Sequence, residues 1–234
     1  MFVAMSLDTL GLSPEQRATF TTIQKQLYAK MNAAREAENA VVGVLVDGIS
    51  SGAIDRAKVD AAIERLRQDA GMVHEAATST LNELHQALSA EQRATLADKV
   101  EAHWTVWRQA NPSDETNRPR GQLAAVADEL ALSPDQIDAV RRRFGELMRQ
   151  APTLDVDRVT TNLHAFEAAF ASTTFDAHSM LEAAIGSDLA GFGATRLARF
   201  CEAVAPVLTP EQRTKLATML RDHQTHGEND VDAR

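Results

Sequence analysis

The chain has 234 residues, of which 44% are apolar and 24% charged, as is ordinary for a globular protein of one large or two small domains. The net charge is −9, with 11 basic and 14 acidic side chains in residues 1–110 and 13 and 19 in the rest. Neither half is basic, so we expect no nucleic-acid partner. The longest apolar run, residues 41–46, is far too short for a membrane span.

Strong helix formers, chiefly alanine, leucine, glutamate, glutamine and arginine, dominate the composition, whereas glycine and proline are sparse. This composition predicts an all-α protein. The single cysteine, Cys201, excludes an intrachain disulfide, and its apolar neighbours predict a buried, inert thiol. The first ten residues, MFVAMSLDTL, lack a basic n-region and a cleavage signature, so we do not interpret them as a signal peptide. If the protein is exported, we expect this numbering to begin after the removed signal.

Apolar residues recur at helical spacing through the first 110 residues and predict three helices. The first runs through residues 20–45 and should end at the glycines of residues 48–52. The second should begin near Asp55 and continue to Leu88 along a near-heptad seam that only Gly71 interrupts. The third begins near Glu91 and contains Trp104 and Trp107. The polar, proline-containing stretch 111–121, NPSDETNRPRG, is predicted to be a linker.

The second half repeats this pattern with variations. An apolar face at residues 137–147 predicts a helix that should break at Pro152. New helix starts are predicted at Asp155 and near Asp176. Three glycines, Gly186, Gly191 and Gly193, should loosen the middle of the next helix. The last helix is expected to run from Glu211 to about His223, followed by a disordered polar tail, residues 227–234.

Four short segments share one pattern: LSPEQ at 12–16, LSAEQ at 88–92, LSPDQ at 132–136 and LTPEQ at 208–212. The first and second lie 76 residues apart, as do the third and fourth, and both pairs are related by an offset of 120. Equal spacing twice over indicates a tandem duplication. The predicted organisation is a first module at 1–110, the linker, a second module at 122–226 and the tail, with the two modules packed as an internal pseudo-dimer.

Each segment has the features of a helix start. A Ser or Thr at the N-cap accepts a bond from a free backbone N–H, and the Gln three residues later reaches back to complete a capping box. The leucine before the cap belongs to the same motif. The residues assigned to this structural role are Leu12, Ser13, Gln16, Leu88, Ser89, Gln92, Leu132, Ser133, Gln136, Leu208, Thr209 and Gln212.

A Leu-Ser/Thr-x-x-Gln segment that occurs twice per helical module of about 100 residues resembles the LTxxQ motif of the Spy/CpxP family. The resemblance covers residues 10–226, and three of the four copies carry Ser where the motif has Thr. It implies a periplasmic protein with a thin, curved, all-α cradle formed by antiparallel dimerisation. Here a monomer would mimic that dimer through the duplication. It also implies an ATP-independent chaperone, a metal-binding sensor, or a regulator of a stress-signalling protein.

For the chaperone, the candidate client-binding residues are Trp104, Trp107 and the basic run Arg141, Arg142 and Arg143. The alternatives are that the tryptophans pack against a neighbouring module and that the arginines form a solvated helix face. Family chaperones tend to be net basic, whereas this chain is net acidic. Unfolded client proteins are the expected partners under this interpretation.

A metal site is the second possibility, with zinc-like chemistry. His223 and His226 lie three residues apart at a helix end, a spacing that can hold one ion, but two exposed histidines in a fraying tail are the alternative. No glycine-rich phosphate loop, nucleophile elbow or helical HExxH occurs, so we predict a protein that is not an enzyme and has no organic cofactor. The hypotheses are a chaperone, a metal-responsive sensor or regulator, and a helical scaffold that binds one partner.

Overall fold

The computed structural model describes residues 6, 9–110, 120–180 and 182–232, and gives the backbone alone for residues 110, 120–122, 183 and 223–232. These residues form helices and no strand, which confirms the predicted all-α fold. None of the described helices has an apolar stretch of membrane-spanning length. The helices are α1 (Pro14–Ser51), α2 (Arg56–Met72), α3 (His74–Ala87), α4 (Ala90–Ala110), α5 (Arg120–Leu130), α6 (Pro134–Arg149), α7 (Val156–Ala171), α8 (Ala177–Met180), α9 (Ala183–Val204) and α10 (Pro210–Asp232).

The first helix, α1, ends within the predicted glycine cluster. Gly52 adopts a left-handed conformation with φ +84°, and the amides of Gly52 and Ala53 donate to the carbonyls of Ile49 and Gly48. This is the Schellman arrangement, in which a glycine without Cβ strain turns the chain while two terminal carbonyls keep partners. The predicted break at Pro152 and the start at Asp155 are also confirmed, since Asp155 accepts a bond from the amide of Arg158 at 2.8 Å.

The second predicted helix is wrong in one respect, because the seam from Asp55 to Leu88 is divided between α2 and α3. The break falls at Val73, whose amide bonds three residues back to Ala70 instead of four. Gly71 has no side chain to hold the helix at this point and costs about 1 kcal/mol there relative to alanine. A heptad pattern continues in register across such a short interruption, so the pattern alone does not show it.

The prediction that three glycines loosen α9 is wrong, because α9 runs through all of them. At Gly191 the reason is packing. A Cβ there would lie 2.8 Å from Cγ of Arg67, so glycine lets the α2 side chain cross the helix closely. Arg67 then reaches Asp188, one turn earlier in α9, with Nη2 2.9 Å from Oδ1. Glycine therefore permits helix contact here.

The last helix also extends beyond its predicted end near His223, since α10 continues to Asp232. Most of the tail expected to be disordered, residues 227–232, is thus helical. No proline occurs after Pro210, and a single glycine at 227 costs a helix only about 1 kcal/mol. At the other boundary, α5 begins at Arg120, inside the predicted linker, whereas residues 111–119 lie outside the described part of the chain.

The chain divides into two compact units, and these are not the two modules read from the sequence. Unit 1 comprises residues 1–32, 70–118 and 155–186, and unit 2 comprises residues 33–69, 119–154 and 187–234. Each unit therefore combines segments of both modules. The expected division at 1–110 and 122–226 describes the repeat in the sequence and not the compact units.

Each module contributes one segment to the unit that is otherwise formed by the other module. The first module supplies residues 33–69 to unit 2, and the second supplies residues 155–186 to unit 1. Shifting 33–69 by the repeat offset of 120 gives 153–189, which nearly coincides with the segment supplied in return. Residues 155–186 are called the exchanged segment below. Two motifs lie in each unit, at 12–16 and 88–92 in unit 1 and at 132–136 and 208–212 in unit 2.

Each unit has its own apolar core. The core of unit 1 includes Phe20, Leu96 and Val100 of the first module and Phe166 and Phe170 of the exchanged segment. The core of unit 2 combines residues 37–66 of the first module with buried residues of α6, α9 and α10, among them Val140, Val204 and Leu216. Because both cores draw on both modules, neither module has a complete core of its own.

Candidate metal centre

A histidine and two glutamates converge where α4 and α7 pack together in unit 1. Glu101 lies on α4, and His164 and Glu167 lie three residues apart on α7, a spacing that places both on one helix face. One ligand-type atom from each side chain lies within 4.8 Å of the other two. The Nε2 atom of His164 is 3.9 Å from Oε1 of Glu101. These three residues are called the metal triad.

The caps at the start of both helices set the positions of the triad. α4 begins at the second motif, where Ser89 accepts a bond from the amide of Gln92 at 3.2 Å. α7 begins at Asp155, just after the break at Pro152. Between the helices, Nε1–H of Trp104 donates to Oγ1 of Thr160 at 3.1 Å. This bond is one turn from the triad on each helix and fixes their register.

The triad is rich in negative charge. Burial raises the pKa of Glu167 above its usual range, and the charges of Glu101 and Asp98 raise it further, whereas His164 lowers it. Among the described residues, His164 is the only basic side chain within ion-pairing distance of Glu101 or Glu167. A cation at this position would therefore relieve repulsion between carboxylates that no described lysine or arginine neutralises.

One carboxylate oxygen of the triad lacks a partner. Oε1 of Glu167 is buried and accepts no hydrogen bond from the described residues. Leaving a buried acceptor unsatisfied costs about 1–3 kcal/mol, and more when the group is charged. In folded proteins a buried carboxylate oxygen is usually paired with a donor, an ordered water or an ion.

The donor set suits a divalent ion of the zinc type. One imidazole nitrogen and two carboxylate oxygens match the borderline ions Zn²⁺, Co²⁺ and Ni²⁺, and no sulfur is present to favour Cu(I). Zinc-to-ligand distances of about 2.0–2.2 Å place tetrahedral ligand atoms roughly 3.3–3.6 Å apart. The present separations need a closure of about 1 Å. Glu101 and His164, which are 53% and 57% exposed, have the freedom to make it.

The motif glutamines form a pair of side-chain hydrogen bonds in each unit. In unit 1 the side-chain amides of Gln16 and Gln92 pair reciprocally, with N···O distances of 2.8 and 3.1 Å. In unit 2 Gln136 and Gln212 pair in the same way at 2.9 and 3.4 Å. All four predicted capping boxes are present, since each glutamine oxygen also accepts from the amide of its N-cap residue. The motif leucines, Leu12, Leu88, Leu132 and Leu208, are buried.

The candidate client-binding residues belong to different units. Trp104 is only 2% exposed and stacks on the half-buried Trp107 with centroids 5.0 Å apart, so packing, the alternative weighed from the sequence, describes its environment. Arg141, Arg142 and Arg143 are exposed on α6 in unit 2, where Arg141 pairs with Asp138 at 3.0 Å. A role in binding clients stays a prediction for these residues.

The histidine pair expected to hold a metal, His223 and His226, lies outside the described side chains. The triad was missed in the sequence because Glu101 and His164 are 63 residues apart and belong to different modules. Its one local signal is the i, i+3 pair of His164 and Glu167, which is common on helices. The thiol of Cys201 is fully buried, and burial raises its pKa to about 12, so it is unsuited to metal binding.

No curated protein and no solved structure matches the chain. A family model does match residues 3–95, and its description is heavy-metal resistance. The matched stretch contains the first two motifs, at 12–16 and 88–92, and ends six residues before Glu101. The first module is therefore similar to a Spy/CpxP-like helical family associated with heavy-metal resistance.

Proposed function

We propose that this chain is a periplasmic metal-stress protein that binds one divalent ion of the zinc type at Glu101, His164 and Glu167. The observation that carries the proposal is the convergence of one imidazole and two carboxylates, whose ligand-type atoms lie within 4.8 Å of one another. The ion would be bound and released without chemical conversion, so the protein would act as a buffer or sensor and not as an enzyme. The periplasmic location is supported by the family similarity of residues 3–95.

The exposure of the triad supports exchangeable binding. Structural zinc sites use four protein ligands in a closed shell, whereas sites that keep open positions use three. Two of the three side chains here are more than half exposed, so an ion can enter from solvent and water can complete its coordination. Reversible occupancy is what a buffer or a sensor requires.

Tryptophan fluorescence offers a direct test, because Trp104 and Trp107 are the only tryptophans and both lie on α4 beside the triad. Titration with Co²⁺, which quenches nearby tryptophan, should give a saturable loss of emission, and Zn²⁺ should compete with it. His164→Ala should weaken Zn²⁺ binding by at least about 10–100-fold, the range already seen when only the partners of a metal ligand are removed. Isothermal titration calorimetry measures the same constants independently.

Two control variants locate the ion. His74→Ala removes a half-buried histidine of the same unit that is not part of the triad, and should leave binding unchanged. The double variant His223→Ala, His226→Ala removes the pair suggested by the sequence. Loss of binding in that variant, with His164→Ala unaffected, would refute the triad as the site and favour the C-terminal histidines.

An ATP-independent chaperone is the second candidate function. The observation favouring it is an open groove in unit 1 between α1 and α3, lined by Thr19, Thr22, Ile23, Gln26, Glu83, Gln86 and Ala87. A mixed polar and apolar groove of this kind can receive an unfolded segment. Large exposed hydrophobic side chains are otherwise few among the described residues, namely Met72 and Val106.

Light scattering of two unrelated aggregating proteins, without ATP and at ratios of one to one and below, tests this second function. Clear suppression would establish a chaperone, and its absence with both clients would leave metal binding or the docking of one signalling partner. Repeating the assay with Zn²⁺ shows whether the two activities are connected.

A further inference from the structure

We infer that a divalent ion at the metal triad acts as a reversible staple that holds the exchanged segment, residues 155–186, in unit 1. This inference rests on the proposed metal binding and adds that the ion stabilises the docking of the exchanged segment. Glu101 belongs to the first module, whereas His164 and Glu167 belong to the second. An ion bound to all three therefore joins two parts of the chain that the sequence repeat separates.

The exchanged segment is attached to unit 1 by contacts that do not need an ion. Phe166 and Phe170 are buried in the unit 1 core, and Trp104 donates to Thr160. At the far end of the segment, Oδ1 of Asn82 accepts from the amide of Ala177 at 2.8 Å. The segment is therefore docked without metal, and a bound ion would make its opening less frequent.

The triad brings carboxylates of two different helices close together. Carboxylate oxygens of Glu101 on α4 and Glu167 on α7 lie within 4.8 Å of each other, and no described lysine or arginine forms an ion pair with either. An ion bound between these carboxylates would replace repulsion between the helices with attraction. Metal binding and helix docking are then linked, because opening α7 from α4 would break the site and release the ion.

Unit 2 provides an internal comparison. The positions related to the triad by the offset of 120 are Arg221 for Glu101, Val44 for His164 and Asp47 for Glu167. A cation, an apolar side chain and one carboxylate cannot hold a metal ion. We therefore expect a staple in unit 1 and none at these related positions of unit 2, so that an ion should stabilise one unit selectively.

Hydrogen–deuterium exchange of the full chain, with Zn²⁺ alone as the probe, tests the staple. At a free Zn²⁺ concentration 100 times the Kd, opening of the site should be suppressed about 100-fold, and amide exchange in α4 and α7 should slow accordingly. Peptides from residues 41–51 and 210–222 of unit 2 should be unchanged. His164→Ala, whose side chain is largely exposed, should fold normally and lose the Zn²⁺ effect.

The Glu167→Gln variant gives a second measurement. In EDTA its α7 amides should exchange no faster than those of the wild type, because the amide removes repulsion between the carboxylates at positions 101 and 167, and Zn²⁺ should slow them no further. Binding of Zn²⁺ by calorimetry without slower exchange would overturn the staple and leave the proposed function intact. Equal slowing in both units would overturn it as well. Absence of binding would overturn the proposed function and the staple together.

Discussion

At each motif a glutamine amide forms two kinds of contact at once. In unit 1 the oxygen of Gln92 accepts from the amide of Ser89 and from Nε2 of Gln16, while its own Nε2 donates to the oxygen of Gln16. A glutamate at this position would satisfy the capping box equally well. Of these two side chains only glutamine can also donate, so the pairing explains why the motif ends in Gln.

Replacing Gln92 with Glu separates capping from pairing. The variant keeps the acceptor for the Ser89 amide and for Nε2 of Gln16, but it loses the donor to the oxygen of Gln16. A carboxylate oxygen then faces the oxygen of Gln16, which keeps only the Ser13 amide as a donor. We expect a loss of about 1–2 kcal/mol of stability. In a chain of this size that corresponds to a fall in Tm of roughly 2–8 °C, measured by thermal denaturation at neutral pH.

Gln26→Glu is the matched control. It makes the same chemical change on the exposed face of α1, where no pair of glutamine side chains is broken. Its Tm should differ little from that of the wild type. If Gln92→Glu were no more destabilising than Gln26→Glu, the amide pair would contribute nothing and the motif glutamine would be a cap alone.

At the scale of the elements, each module has a residue in the left-handed conformation directly before its first motif, and the residue type differs between the modules. Ala131, which follows α5, has φ +49°, and Gly11, 120 residues earlier, has φ +63°. The amides of Ala131 and Leu132 bond back to Asp128 and Ala127, so the turn closes the end of α5. Alanine in this left-handed region costs about 1–2 kcal/mol, whereas glycine adopts it freely.

Exchanging these residues should shift stability in opposite directions. Ala131→Gly should raise the free energy of unfolding by about 0.5–1 kcal/mol, because relief of strain exceeds the added flexibility of the unfolded chain. Gly11→Ala should lower it by a similar amount, and since an added Cβ at Gly11 meets no atom within 4 Å, backbone strain alone is responsible. Urea denaturation measures both. A stability loss in Ala131→Gly would show that the strain does not control this turn.

Helix starts could be predicted from the sequence because capping is local. The four N-caps and the starts at Asp155 and Asp176 require only residues within one turn. Interruptions are harder to predict. The heptad pattern stays in register across the short break at Val73, and the continuity of α9 past Gly191 depends on packing against Arg67. The metal triad requires knowledge of which module packs against which, and the equal spacing of the repeats does not carry that information.

At the scale of the whole molecule, the reciprocal exchange of segments makes both units depend on both modules. The long helix α1 contributes its first part to unit 1 and its last part to unit 2. The first module's residues in unit 2 include six that are nearly fully buried, Val41, Leu45, Ile49, Val59, Ile63 and Leu66. A module separated from its partner would expose them to water.

The free energy lost by exposing these six side chains decides whether a single module can fold. Burying one such side chain stabilises a fold by about 1.5–3 kcal/mol, so six together contribute roughly 9–18 kcal/mol. That equals or exceeds the total stability of a typical domain, about 5–15 kcal/mol. Pairing two copies of the first module would not restore the loss in unit 1, because the repeat offset places Val46 and Ser50 where Phe166 and Phe170 fill the core.

We therefore expect fragments 1–118 and 119–234 to fold poorly alone and to fold together when mixed. Each fragment alone should show a broad thermal transition, whereas an equimolar mixture should recover the helicity and cooperative transition of the intact chain. Circular dichroism and size-exclusion chromatography with light scattering should give a one-to-one complex whose Tm rises with concentration. A cooperatively folded, monomeric 1–118 fragment would contradict this, since it would show that the first module completes its own core. Phe166→Ala in the second fragment should weaken complementation, because it removes the side chain that the first module cannot supply.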